Sequence, residues 1–272
     1  MGYAMNALNP FQLNGRTVLI TGAAGHLGRA ISLGIAAAGG TPILCGRTAQ
    51  KLHSLQTEIQ AAGGNAPVMP LDIGSRDSMA NALTWITQNF DSLHGVVNCA
   101  HMGRPGTISS ANEDDFNIAQ QAHVNGPFFL IKQFLPMLER GAREVAGGAS
   151  IVNVSSMYGI VSPDPAVYGN SGSNNPPYYG AAKAALLQLT RYLACHLGDK
   201  QIRANSITPG PFPPASIAQT APDFYQGLCK KNPLGRIGVP EEIAGPTVFL
   251  LSAASSYITG ANIPVDGGWT SW

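Results

Sequence analysis

Charge is scarce in this chain: of 272 residues, 16 are Lys or Arg and 15 are Asp or Glu, so 11% are ionic and the formal net charge is +1. An average soluble domain carries roughly 25%. The longest cationic run is Lys230-Lys231, too short to follow a phosphate backbone, and no nucleic-acid partner is expected. Apolar runs long enough to cross a bilayer are missing as well, and the start of the chain holds one cation, Arg16, and no apolar leader core. Neither membrane association nor secretion is expected, which puts the chain in the cytoplasm. Cysteine is rare: Cys45, Cys99, Cys195 and Cys229 lie 54, 96 and 34 positions apart. That spacing offers neither a metal-binding pair nor a disulfide framework, so free thiols and no metal site are expected. The Gly-x-Ser-x-Gly and His-Glu-x-x-His patterns of hydrolases are absent.

With hydrophobic residues at 44%, little polar material is left to cover a monomer. A homo-oligomer, tetramer or dimer, is expected, and the apolar Trp269 and Trp272 near the C-terminus point the same way. The pattern along the chain is an alternation of short β-branched runs with helical periods, the signature of a parallel sheet. Strands are expected at residues 17–21, 42–45, 67–70, 95–98, 150–155, 203–208 and 262–265. Helices are expected at 49–62, 76–89, 112–139, 178–196 and 240–252, the last kinked or shortened by Pro246. Between the first two strands, Leu27, Ala30, Ile31, Gly34, Ile35 and Ala38 trace one buried helix face. The expected architecture is a single α/β domain over 1–272, a Rossmann-type doubly wound parallel β-sheet of about seven strands with helices on both faces. Two segments break the rhythm: 162–177, rich in Pro, Gly, Asn and Ser, and 211–232, which opens Pro-Phe-Pro-Pro. Both are expected to be loops at the site, the second as a substrate lid.

Directly after the first strand comes Thr21-Gly22-Ala23-Ala24-Gly25-His26-Leu27-Gly28. Glycines at a strand-to-helix turn admit a pyrophosphate to the free N–H groups of the helix. A dinucleotide site is therefore expected, with Gly22, Gly25, His26, Leu27 and Gly28 along it. NAD sites place a carboxylate about 20 residues further on to hold the ribose. Here no Asp or Glu precedes Glu58, whereas Arg16, Arg29, Arg47 and Lys51 do. Arg47, ending the second strand, suits a 2′-phosphate, so NADP is expected over NAD.

Tyr179 and Lys183 stand four apart on one helix face. A phenol, with a pKa of about 10, is a poor proton carrier unless a neighbouring cation stabilises its anion. Ser155-Ser156 ends the fifth strand, on the edge where open α/β sheets bind ligands. Tyr178 lacks the cation, since Ala182 is its i+4 partner.

With these elements in this order the chain resembles the classical branch of the short-chain dehydrogenase/reductase family, from about Gly15 to Gly268. Further markers are Leu71-Asp72-Ile73, Asn98-Cys99-Ala100-His101, Val124-Asn125-Gly126, Asn205 to Gly210, Thr259-Gly260 and Val265-Asp266-Gly267-Gly268. The resemblance implies an NADP(H)-dependent interconversion of a carbonyl and a secondary alcohol on a small-molecule substrate. It implies Tyr179 as general acid/base, Lys183 on the nicotinamide ribose and lowering the tyrosine pKa, Ser156 on the substrate oxygen and Asn125 in the proton relay. Asp72 and Ile73 would flank the adenine, and Asn98, Ala100, Pro209 and Gly210 would lie along the cofactor. The alternative is an NADP(H)-binding sensor without turnover.

The chain departs from the family's pattern in four places. His26 stands where the glycine turn has Gly, either on a phosphate or capping the turn. The usual Asn-Asn-Ala-Gly reads Asn98-Cys99-Ala100-His101, with His101 read as structural rather than as an added catalytic group. Ser156 and Tyr179 are 23 positions apart, wider than is usual, and the excess falls in 162–177, which should then form part of the substrate wall. Pro246 enters a helix that normally has none. The polar insert, with Asn170, Ser171, Ser173, Asn174 and Asn175, leans toward a sugar or polyol derivative rather than a 3-oxoacyl thioester or a steroid-like ketone.

Overall fold

The computed structural model describes residues 9–169 and 174–272. Asn170, Ser171 and Ser173 lie outside the described residues. Seven strands form one sheet: β1 (Thr17–Thr21), β2 (Thr41–Gly46), β3 (Val68–Pro70), β4 (Gly95–Asn98), β5 (Ala149–Val154), β6 (Ile202–Pro209) and β7 (Asn262–Val265). All neighbours are parallel and the order is β3-β2-β1-β4-β5-β6-β7. The residues of β4, β5 and β6 are buried throughout. Such runs belong to strands covered on both faces, and the polar residues within them, such as Asn153, Arg203 and Asn205, are satisfied by hydrogen bonds in the interior.

Side chains alternate across the sheet. Val18 and Ile20 pack with Ile31, Ile35, Leu52, Leu55, Ile59 and Leu250, from helices α1 (His26–Ala37), α2 (Ala49–Ala61) and α10 (Ala244–Leu251). Leu19 packs on the other face with Met79, Ile86, Leu130, Phe134 and Leu193, from α3 (Arg76–Asn89), α5 (Gly126–Glu144) and α7 (Pro177–Leu197). The doubly wound expectation is met. The winding reverses between β1 and β4, which opens a crevice at the carboxyl ends of the strands. In register, one row of residues runs Cys45, Thr21, Asn98, Asn153, Ser206 across the sheet, and the segments that leave this row build the site.

Several expected elements differ. The helix expected over 112–139 is three pieces: α4 (Glu113–Gln120), a π-helical turn Gln121–Asn125, and α5. Asn112 caps α4 reciprocally with Asp115. Pro136 lies inside α5 without ending it. The C-terminal helix begins as a 3₁₀ turn, Pro240–Ile243, so Pro246 falls in the first turn of α10, where its missing N–H costs little. The segment 211–232 is not an open loop but carries α8 (Ile217–Thr220) and α9 (Pro222–Lys231), and 162–177 carries α6 (Pro165–Tyr168), capped by Asp164. Trp269 is 2% exposed and belongs to the core, beneath the Lys231 ammonium. It therefore offers no apolar surface to a second copy, unlike Trp272, which is 76% exposed. Among the described residues no helix is long and apolar enough to cross a membrane.

Candidate active site

The turn after β1 is tight for a steric reason. Gly22 has φ +68°, and a side chain there would meet the Ala100 backbone at 2.8 Å; one at Gly28 would strike the Gly22 carbonyl oxygen at 2.1 Å. Gly25 caps α1 with no side-chain hydrogen bond, so the first-turn amides point at open space. His26 caps nothing and stands exposed on the rim of the cleft. Thr21 holds the opposite lip: its hydroxyl oxygen accepts hydrogen bonds from the amides of Cys99 and Ala100 at 3.1 and 3.2 Å.

A cleft of about 550 Å³ follows the crevice. Gly22, Gly25, His26, Leu27, Gly28, Arg47, Asp72, Ile73, Ala100, Ser156, Tyr179, Lys183, Pro209 and Gly210 all border it. Thr48 and Lys51 stand beside Arg47 at the end of the cleft formed by β2. Arg47 and Lys51 make no ion pair with any described carboxylate, whereas Arg29 is paired with Glu58.

The structure moves two expected residues away from the cleft. Asn98 is buried in the sheet, where its amide donates to Asn153 Oδ1 at 2.8 Å, and Asn153 donates in turn to Thr190 Oγ1 at 2.9 Å. Asn125 does not border the cleft: its amide donates to Gln121 Oε1 at 3.3 Å. The residue of that π turn that faces the site is His123, buried to 1% exposure and bordering a narrow crevice with Lys183 and Asn98. A helix with period 3.6 cannot predict this facing, because the π turn adds a residue and so rotates the remainder of the helix.

Tyr179, Ser156 and Lys183 do converge. The Lys183 ammonium donates to the Val154 carbonyl at 2.7 Å and stands 5.6 Å from the centre of the Tyr179 ring. Burial pulls Lys183 down to about 8. Burial also raises the Tyr179 phenol, with a hydrogen bond from Ser156 acting against the rise. Burial is the larger influence on the phenol, and the Lys183 ammonium lies beside its ring. Ser156 Oγ accepts from the Tyr158 amide at 3.1 Å, which leaves its own proton to donate. Ser155 is structural, donating to the Lys183 carbonyl. Cys99, beside Lys183, is pushed up to about 11 by burial and is a neutral thiol.

Tyr178 has a separate task. Its hydroxyl donates to the Arg104 carbonyl at 2.6 Å, while the Arg104 guanidinium grips Asp115 through two bonds of 2.8 and 2.7 Å. Tyr178 thus ties the start of α7 to the segment after β4 and to the cap of α4. That segment carries His101, whose Nδ1 lies 3.2 Å from His123 Nε2. Both imidazoles meet the Tyr179 ring edge-on, with centroids 5.4 and 5.7 Å away. The sequence singles out His101 but not its partner.

A second cavity, of about 560 Å³, opens on the far side of Tyr179. His101, Met102 and Tyr179 border both spaces. The second is further lined by Tyr168, Asn174, Asn175, Ile217 and Phe224.

Comparison with known proteins agrees with this architecture. A family model described as enoyl-(acyl carrier protein) reductase matches residues 22–270. The 3-oxoacyl-[acyl-carrier-protein] reductase FabG of Thermotoga maritima is 32% identical, over 94% of this chain and 98% of its own length. The Pseudomonas aeruginosa RhlG/NADP active-site complex superposes with a TM-score of 0.86 at 30% identity, over 96% of this chain and 98% of that one. A gluconate 5-dehydrogenase from Burkholderia cenocepacia, solved in complex with NADP and tartrate, gives 0.85 at 27% identity, over 98% and 99%. With a family model over nearly its whole length and relatives of matching extent, the chain belongs to the classical short-chain dehydrogenases/reductases, oxidoreductases that act on carbonyl and CH–OH groups.

Proposed function

We propose that the protein interconverts a carbonyl and a secondary alcohol with NADP(H), Tyr179 carrying the proton. The observation that carries this reading is the place of Tyr179: a phenol joined to Ser156, beside an ammonium, on the partition between two cavities. The cofactor, when bound, supplies or takes up the hydride.

The residues of the cleft fit a dinucleotide phosphate. The glycine cradle is one that a Cβ at Gly22 or Gly28 would fill, and the first-turn amides of α1 suit a pyrophosphate. Arg47, with Thr48 and Lys51, would hold the 2′-phosphate, which favours NADP over NAD. Asp72 and Ile73 would take the adenine, Lys183 the nicotinamide ribose, and Ala100, Pro209 and Gly210 the nicotinamide. In the direction of reduction Ser156 donates a hydrogen bond to the substrate oxygen while Tyr179 gives it a proton. His123, not Asn125, is the side chain of the π turn next to this set.

The insert 162–177 supplies part of the substrate wall through Tyr168, Asn174 and Asn175, and 211–232 covers the same cavity through Ile217, Ala221 and Phe224. Among the relatives are 3-oxoacyl-[acyl-carrier-protein] reductases and a gluconate 5-dehydrogenase, and the two asparagines favour a hydroxylated small molecule over a thioester. The test follows the near-ultraviolet absorbance of NADPH across a panel of ketones, hydroxy ketones and keto sugars. Turnover in the wild type and its loss in Tyr179→Phe are expected. Full activity in that variant would overturn the mechanism, and tight NADPH binding without any turnover would favour a sensor.

A further inference from the structure

We infer that His101 selects the substrate, and that it selects a carbonyl compound with a hydroxyl on the adjacent carbon, together with the matching vicinal diol. This rests on the proposed NADP(H)-dependent activity and adds the chemical class of its substrate.

A neutral imidazole has one N–H and one acceptor nitrogen. His101 Nδ1 lies 3.2 Å from His123 Nε2, so the two rings share one hydrogen bond and Nε2 of His101 is the nitrogen left for a ligand hydroxyl, which can donate or accept. Desolvation and the Lys183 ammonium lower both imidazoles, His101 to about 4, so neither ring is cationic near neutrality. The contact with His123 therefore occupies Nδ1 of His101 and leaves the other nitrogen.

That nitrogen is available to a ligand. His101 borders both cavities and meets Tyr179 edge-on; among the described residues, the hydrogen bond to His123 is the one its ring makes. His101 meets the Tyr179 ring at 5.4 Å, so a substrate oxygen held by Tyr179 and Ser156 sets its neighbouring carbon toward His101. A hydroxyl there hydrogen-bonds the free nitrogen of His101, and a methylene leaves that nitrogen unmatched. Reduction adds hydride from NADPH to the carbonyl carbon and the Tyr179 proton to its oxygen, so the hydroxy ketone becomes a vicinal diol and NADP⁺ is released.

The test compares matched pairs, hydroxyacetone with acetone and acetoin with butanone, in NADPH-driven reduction. Sites built to bond a substrate hydroxyl reject the analogue without it, and a preference in kcat/KM of at least about tenfold is expected for the hydroxylated member. His101→Leu should bring the preference to about unity, and His101→Gln, which keeps an acceptor, should retain part of it. Calorimetry with the NADPH-loaded protein, which cannot turn over an alcohol, should show propanediol binding more tightly than propanol in the wild type and equally in His101→Leu. Equal kcat/KM within each pair in the wild type, or an unchanged preference in a folded His101→Leu, overturns the inference and leaves the reductase reading standing. No NADPH oxidation with any ketone overturns that reading and the inference with it.

Discussion

The ammonium of Lys183 donates to the Val154 carbonyl at 2.7 Å and hangs 5.6 Å from the centre of the Tyr179 ring, so one backbone oxygen holds the charge beside the phenol. Its charge is felt more widely, at Cys99, His101 and His123. The proton chemistry of the site then depends on three groups held by one helix and one strand end. Removing the phenolic oxygen should leave the fold and the cleft intact. Tyr179→Phe is expected to lower kcat by about 10²- to 10⁴-fold, the range of general acid–base contributions. NADPH affinity, followed by fluorescence titration, should change little.

Lys183 gives a pH signature. Burial brings its ammonium from the ordinary 10.5 to about 8. Cofactor affinity that uses this charge should fall as pH rises through about 8, and the inflection should vanish in Lys183→Met. Stability runs in the opposite sense. Between about 8 and 10.5 the unfolded chain holds the proton and the folded one does not, so the contribution of this group to stability rises with pH across that window. Denaturant titrations across that interval would show it.

Arg47 should decide between the two dinucleotides. A charge-assisted hydrogen bond contributes about 1.5–3 kcal/mol, so Arg47→Ser should weaken NADPH binding by about 10- to 100-fold. NADH, which has no 2′-phosphate, should bind as before. Equal losses for both cofactors would place Arg47 outside the phosphate site.

Gly28→Ala tests the glycine turn. The added carbon would lie 2.1 Å from the Gly22 carbonyl oxygen, against backbone that cannot swing aside. Dinucleotide binding should be lost, with a fall in Tm. Gly63→Ala, at φ +85° but with open space around it, should lower stability modestly and leave binding unchanged.

Much of the fold and the site is legible in the sequence because it is written in short-range chemistry. The strands Thr17–Thr21, Gly95–Asn98 and Asn262–Val265 fall where the β-branched runs lie, and the glycine turn and the Tyr179/Lys183 spacing mark their own helix starts and faces. The features that escape depend on phase or on distance. The motif position points to Asn125 rather than His123, because the π turn that shifts the helical phase is announced by no residue type. The bond that Asn98 makes to its sheet neighbour Asn153 is a contact across 55 positions that no local motif announces. Trp269 looks like exposed apolar surface near the chain end, yet the core closes around it. The helices within 211–232 are hidden by Pro222 and Gly227, residues that break a pattern when read alone but fit at a first turn or beneath a neighbour such as Val167.

The buried relay Asn98–Asn153–Thr190 joins two central strands to the helix that bears the phenol. That linkage makes the reacting apparatus one unyielding floor, and leaves accommodation of differently shaped molecules to the roof of short helices above it. Adapting this scaffold to a new compound is then a matter of rewriting the roof, with the floor left as it stands.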